Sequence, residues 1–125
     1  MTTGHHILVV EDEPLIRSLA VELLSDTGYC LLEASSADEA LDILARQAAD
    51  ICLLFTDVNM AGSIDGLALA KIVAASWPWI GILITSGRDQ PPRQELPPRT
   101  HFAAKPWRQA TLLKQVEETC ARRAA

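Results

Sequence analysis

The sequence predicts an α/β fold, a doubly wound five-stranded parallel sheet with helices on both faces. Two observations carry this reading. Short apolar runs alternate with amphipathic stretches five times along 125 residues. The runs are continuously apolar, which is the pattern of parallel strands covered on both sides. Right-handed crossovers between such strands then distribute the helices over the two faces.

Each element has its own local signal. "HILVV" (6–10) reads as a buried strand. Leu15, Ile16, Leu19, Ala20, Leu23 and Leu24 recur at helical spacing, and Gly28 is placed to stop that helix. "YCLLEA" (29–34) is the second strand. Ser36 followed by Glu39 makes a capping box for a second helix, with Ala40, Leu41 and Leu44 as its apolar stripe. "ICLLFT" (51–56) is the third strand, and a third helix runs from Asp65 to Ser76 with Leu67, Ala70, Val73 and Ala74 inward. "IGILIT" (80–85) and "THFAA" (100–104) complete the sheet. Pro106 suits the first turn of a last helix through Leu112, Leu113, Val116 and Cys120.

One segment breaks the alternation. "GRDQPPRQELPPRT" (87–100) stands where a fourth of five helices belongs, and it carries Pro91, Pro92, Pro97 and Pro98. An interior proline costs a helix about 3 kcal/mol and also restricts the residue before it. Only about one turn, around Arg93 to Glu95, is left for a helix, so this element is expected to be short or irregular.

Composition narrows the function. A chain of 13.6 kDa, half apolar and about a fifth charged, is a single folded domain spanning residues 1–125. The net charge of −5 leaves no basic face for nucleic acid. Cys30, Cys52 and Cys120 are an odd, scattered set without the spacing of a zinc site or disulfide framework. No apolar run is long enough to span a membrane and no signal peptide is visible, so a cytoplasmic location is expected.

The chemistry concentrates where strands end. Glu11 and Asp12 follow the first strand, Asp57 the third, Thr85 closes the fourth and Lys105 follows the fifth. A parallel sheet gathers these carboxyl ends at one rim, the usual place for function in such folds. Taken singly, each has an ordinary explanation: an Asp at a strand end is commonly a turn former, and Glu-Asp-Glu-Pro a helix start. Together, three carboxylates repel by several kcal/mol per close pair at an effective dielectric near ~20, and they call for a cation. Acid oxygens with room for water suit Mg²⁺. An Asp beside Mg²⁺, a hydroxyl and an ammonium is equipped to accept a phosphoryl group, Asp57 attacking while Lys105 neutralises and Thr85 donates a hydrogen bond.

"ILVVEDEP", "LLFTDVNMAGSIDGLALA", "ILITSG" and "AAKPW" resemble the receiver domains of two-component response regulators, in order and at the expected strand ends. The resemblance implies a flavodoxin-like strand order 2-1-3-4-5. It makes Asp57 the phosphoacceptor, Asp12 the direct Mg²⁺ ligand, Glu11 a ligand through water, and the backbone carbonyl of Asn59 the remaining protein ligand. Thr85 becomes the switch hydroxyl and Lys105 the phosphate-binding lysine, followed by Pro106 across a commonly cis bond. Phe102 takes the aromatic switch position, without the hydroxyl of a tyrosine. The implied partners are a histidine kinase or histidine phosphotransfer protein and an unidentified downstream protein. Such a phosphorelay protein catalyses only its own phosphorylation and dephosphorylation, as a monomer or weak dimer.

Three departures stand out: alanine in the slightly long "NMAGSIDG" turn, Trp107 in place of a smaller aromatic, and the proline-rich segment in place of part of the output face. The short lead-in after Met1 and the end at Ala125 favour a stand-alone receiver. The alternatives are a receiver fragment of a larger response regulator or hybrid histidine kinase, and an Asp-nucleophile phosphatase. The phosphatase resembling the haloacid dehalogenases needs a second Asp where Asn59 stands. A phosphate-binding nucleotide site is disfavoured by Glu11, Asp12 and Glu13, which stand where a Gly-rich loop is needed.

Overall fold

Five strands form one sheet in the computed structural model, which describes residues 5–60, 62, 64–87 and 91–124. They are β1 (His6–Val10), β2 (Cys30–Ala34), β3 (Ile51–Asp57), β4 (Gly81–Ser86) and β5 (Thr100–Ala104). All neighbours pair in parallel, in the order β2-β1-β3-β4-β5. Among the described residues, four α-helices connect or follow them: α1 (Pro14–Leu24), α2 (Ala37–Gln47), α3 (Gly66–Ser76) and α4 (Gln109–Ala124). This is the expected doubly wound sheet.

The strand residues divide by parity between two cores, because successive side chains point to opposite faces. Leu54 and Ile84 join Ala40, Leu44, Leu69 and Val73 under α2 and α3. Leu53, Phe55 and Leu83 join Ala20, Leu24, Leu112 and Val116 under α1 and α4. Every residue of β3 is buried, as a central strand of a covered sheet must be. Each large aliphatic side chain so buried contributes about 1.5–3 kcal/mol.

Local signals set the helix ends. Gly28 stops the turn after α1 at φ 84°, a conformation open to glycine without steric cost. Ser36 Oγ accepts from the Glu39 backbone N–H at 3.1 Å, which is worth about 1 kcal/mol to α2. Glu39 does not close the box on Ser36; its carboxylate accepts from the N–H and hydroxyl of Ser35 instead. Asp65 caps α3 by accepting from Ala68 N–H at 2.8 Å.

Two expectations are corrected. The inward stripe of α1 does not include Leu15 and Leu19, which are 85% and 45% exposed, because Ala20 and Leu24 face the sheet. The last helix begins at Gln109, not at Pro106; the chain passes Lys105–Pro106 through a cis peptide bond first. The proline-rich segment behaves as its composition requires, with one 3-10 turn at Arg93–Glu95. Arg88, Asp89 and Gln90 of that segment lie outside the described residues.

Candidate functional site

The register of the sheet assembles the site. Asp57 is paired with Thr85 across β3 and β4, and Ser86 with Ala104 across β4 and β5, so Lys105 begins where its strand leaves the rim. Glu11 is tied in by its backbone N–H, which donates to Ala34 O at 3.1 Å, while Arg17 Nη1 donates to its carbonyl at 2.9 Å. Four of the predicted residues therefore share one rim: Glu11, Asp57, Thr85 and Lys105.

Lys105 is the centre of this group. Its ammonium donates to Asp57 Oδ2 at 3.0 Å and to Glu11 Oε1 at 3.2 Å. Both acceptors are nearly sequestered, with side-chain exposures of 3% for Glu11 and 10% for Asp57, so the contacts are far less screened than surface ion pairs. The second oxygens are held by backbone: Glu13 N–H donates to Glu11 Oε2 and Asn59 N–H to Asp57 Oδ1, each at 3.2 Å.

The electrostatics follow from burial. Burial pushes the Glu11 carboxyl up to about 7; the Glu13 N–H opposes this, the Asp57 charge adds to it, and Lys105 opposes it. Burial alone would lower Lys105, but its bonds and charge pairing with Asp57 and then Glu11 leave it raised. The lysine is thus a fixed cation against two crowded acids.

Thr85 and Phe102 occupy opposite sides of the sheet. The Thr85 hydroxyl accepts a hydrogen bond from the Trp107 indole at 2.7 Å. Trp107 packs against Phe55 at 5.5 Å between ring centroids, in the core under α1 and α4, and Lys105 Nζ lies 5.8 Å from its ring. Phe102 packs against the other core, under α2 and α3.

The three-acid cluster expected from the sequence takes a narrower form. Glu11 and Asp57 converge on one ammonium, and among the described residues no three metal-ligating side chains are grouped. Asp12 is half-buried one residue from Glu11. The donors nevertheless fit a hard divalent ion, since all are oxygens and one positive charge already reaches two of them. The turn after Asp57 includes Ala61 and Ser63, which lie outside the described residues.

Sequence reasoning missed two contributors. Trp107 reads as a packed aromatic, and nothing in its position announces a bond to Thr85. Gly66 opens α3 with its N–H donating to Val58 O at 2.9 Å, and a Cβ there would collide with the Asp57 backbone carbonyl. The available signal was a glycine at the first helical position behind the Asp65 cap, where propensity gives no reason for it.

Comparison with known proteins identifies the family. The family model of the response regulator receiver domain matches residues 7–117. Over 85 residues, 67% of the chain, it is 38% identical to the nitrogen assimilation regulatory protein NtrX of Azorhizobium caulinodans, and spans 18% of that protein. It is 33% identical over 81 residues to the sensor kinase CckA of Brucella abortus, 65% of this chain and 8% of that protein. The chain therefore spans less than a fifth of these curated relatives. Among solved structures, the receiver domain of a hybrid histidine kinase CckA superposes with a TM-score of 0.78 at 36% identity, covering 92% of this chain and 98% of that one. A receiver protein from Sinorhizobium medicae, at 24% identity and a TM-score of 0.86 over 96% of this chain and 97% of that one, shares the fold. No helix among the described residues is long and apolar enough to cross a membrane. With the family model matching along nearly its whole length and the strand order of that fold, the chain belongs to the receiver domain family of two-component response regulators.

Proposed function

We propose that Asp57 is the phosphoacceptor of this receiver, and that Lys105 and Thr85 serve the transfer. The observation that carries the reading is the pairing of Asp57 with Lys105 at the rim, 3.0 Å apart and largely out of water. A carboxylate oxygen of Asp57 attacks the phosphorus of a phosphohistidine on a histidine kinase or phosphotransfer protein. The P–N bond breaks, and its electron pair stays with the leaving imidazole. Lys105 neutralises the oxygens of the transferring group, and Thr85 donates its hydroxyl hydrogen to one of them once the group is in place.

Glu11 through water, Asp12, Asp57 and the Asn59 carbonyl would hold Mg²⁺. The ion supplies charge neutralisation to the transferring oxygens when bound. The acid Lys105 shares with Asp57 is Glu11, so a cation entering beside them relieves the same crowding that Lys105 relieves alone. Leu15 and Leu19, exposed on α1 just past Glu11 and Asp12, supply apolar contact for the phosphodonor. Output passes to a protein target through a changed surface, whether the chain works alone or as one module of a longer regulator.

Incubation with Mg²⁺ and acetyl phosphate should add one phosphoryl group by intact mass. Asp57→Asn should abolish it. Labelling of the variant at the wild-type level would remove Asp57 from the role.

A further inference from the structure

The bond between Trp107 and Thr85 joins a residue outside the proposed transfer machinery to the hydroxyl inside it. An indole N–H is only a donor, so Thr85 Oγ1 must be the acceptor, and its own hydrogen is not used by this bond. At 2.7 Å and with Thr85 1% exposed, the contact is short and shielded from water. Thr85 is β-branched, and a β-branched side chain has few χ1 wells, so one bond selects its rotamer. Trp107 itself is braced, its ring against Phe55 on one side and the Lys105 ammonium near its face.

The site of the phosphoryl group is one strand away, on Asp57. Thr85 is the register partner of Asp57 on the neighbouring strand, so rotation about χ1 suffices to bring the hydroxyl toward a group carried there. Trp107 is packed into the core under α1 and α4 and does not sit on β3 or β4. A χ1 change that carries the oxygen itself toward Asp57 takes it off the indole N–H. We propose that Trp107 is a latch: its indole holds Thr85 in the rotamer belonging to unmodified Asp57, and phosphorylation must break that bond. Trp107 is thus a positioning residue that sets the cost of switching. Because it borders the surface groove between β5 and the start of α4, with Phe102, Pro106 and Gln115, its release also changes that surface.

The latch rests on Asp57 as the acceptor, so the experiment reports on both separately. The three tryptophan indole N–H resonances of the ¹⁵N-labelled full chain are followed during titration with Mg²⁺ and beryllofluoride, while ¹⁹F NMR counts bound beryllofluoride. The Trp107 resonance should shift and exchange faster with water as the bound ¹⁹F signal grows, with Trp77 and Trp79 unchanged. In Thr85→Val the Trp107 resonance should start displaced and move little. Trp107→Phe keeps a ring against Phe55 and removes only the donor; half-saturation should occur at about 2- to 10-fold lower beryllofluoride, the range expected for one hydrogen bond. Saturation of the ¹⁹F signal with an unmoved Trp107 resonance overturns the latch and leaves the acceptor reading intact. An unchanged or weaker affinity in Trp107→Phe overturns it too. Absence of any bound ¹⁹F signal in the wild-type chain overturns the acceptor reading, and the latch with it.

Discussion

The ammonium of Lys105 lies 3.0 Å from Asp57 Oδ2 across a gap of 48 residues in sequence, at the shared rim of strands that are not neighbours. The same ammonium lies 3.2 Å from Glu11 Oε1. One positive charge is therefore divided between two acids that would otherwise repel each other in a poorly solvated place.

Lys105→Met keeps the length of the side chain and deletes its charge. Breaking a fully buried pair costs about 3–5 kcal/mol, and the 21% exposure of Lys105 reduces this to roughly 1–3 kcal/mol. Mg²⁺ should recover part of the loss, because a second cation can stand against the same oxygens. Thermal unfolding should therefore show a larger Mg²⁺-induced rise in Tm for the variant than for the wild type. Equal rises would mean that lysine and metal do not share their acids. Phosphoryl transfer from acetyl phosphate should slow on the order of 100-fold, the usual cost of removing one charge-stabilising donor.

Gly66→Ala separates close packing from helix propensity. On propensity alone the change should stabilise α3 by up to about 1 kcal/mol. Its Cβ, however, meets the Asp57 carbonyl, which is backbone and can move only with the strand end. Overpacking of this kind costs about 1–3 kcal/mol. The variant should unfold at lower denaturant and accept phosphoryl more slowly, because Asp57 is displaced. A gain in stability would show that the turn yields without cost.

How much of this was legible follows from the range of each signal. Strands such as "ICLLFT" and the Ser36 cap declare themselves within a few residues, so the sheet, its parallel sense and the proline-limited turn at Arg93–Glu95 were readable. Glu11, Asp57, Thr85 and Lys105 were readable together because a parallel sheet gathers strand ends. Which face of α1 turns inward was not, since Leu15 and Leu19 fit the same periodicity as Ala20 and Leu24. The late start of α4 at Gln109 was hidden by a proline that suits a first turn. The Trp107–Thr85 bond depends on the relation of two residues 22 apart, which no local pattern encodes.

Glu11 should make the metal-free protein less stable as pH rises. Its carboxyl is raised from 4.5 to about 7 by burial, so the folded state holds a proton that the unfolded chain releases. The stability tied to that proton is fully present below about 4.5 and is lost as pH rises through about 7. At about 1.4 kcal/mol per tenfold change in proton affinity, the whole window is worth roughly 3 kcal/mol. Other carboxylates titrate near 4 and obscure the lower end, so the informative comparison runs from about pH 5 to about pH 8. Glu11→Gln keeps one acceptor oxygen, for either the Glu13 N–H or Lys105 but not both, and has no proton to lose. In EDTA, urea unfolding should show the wild type losing stability relative to Glu11→Gln across that window. Parallel profiles would place the Glu11 carboxyl at its ordinary value and remove burial as the dominant force on it.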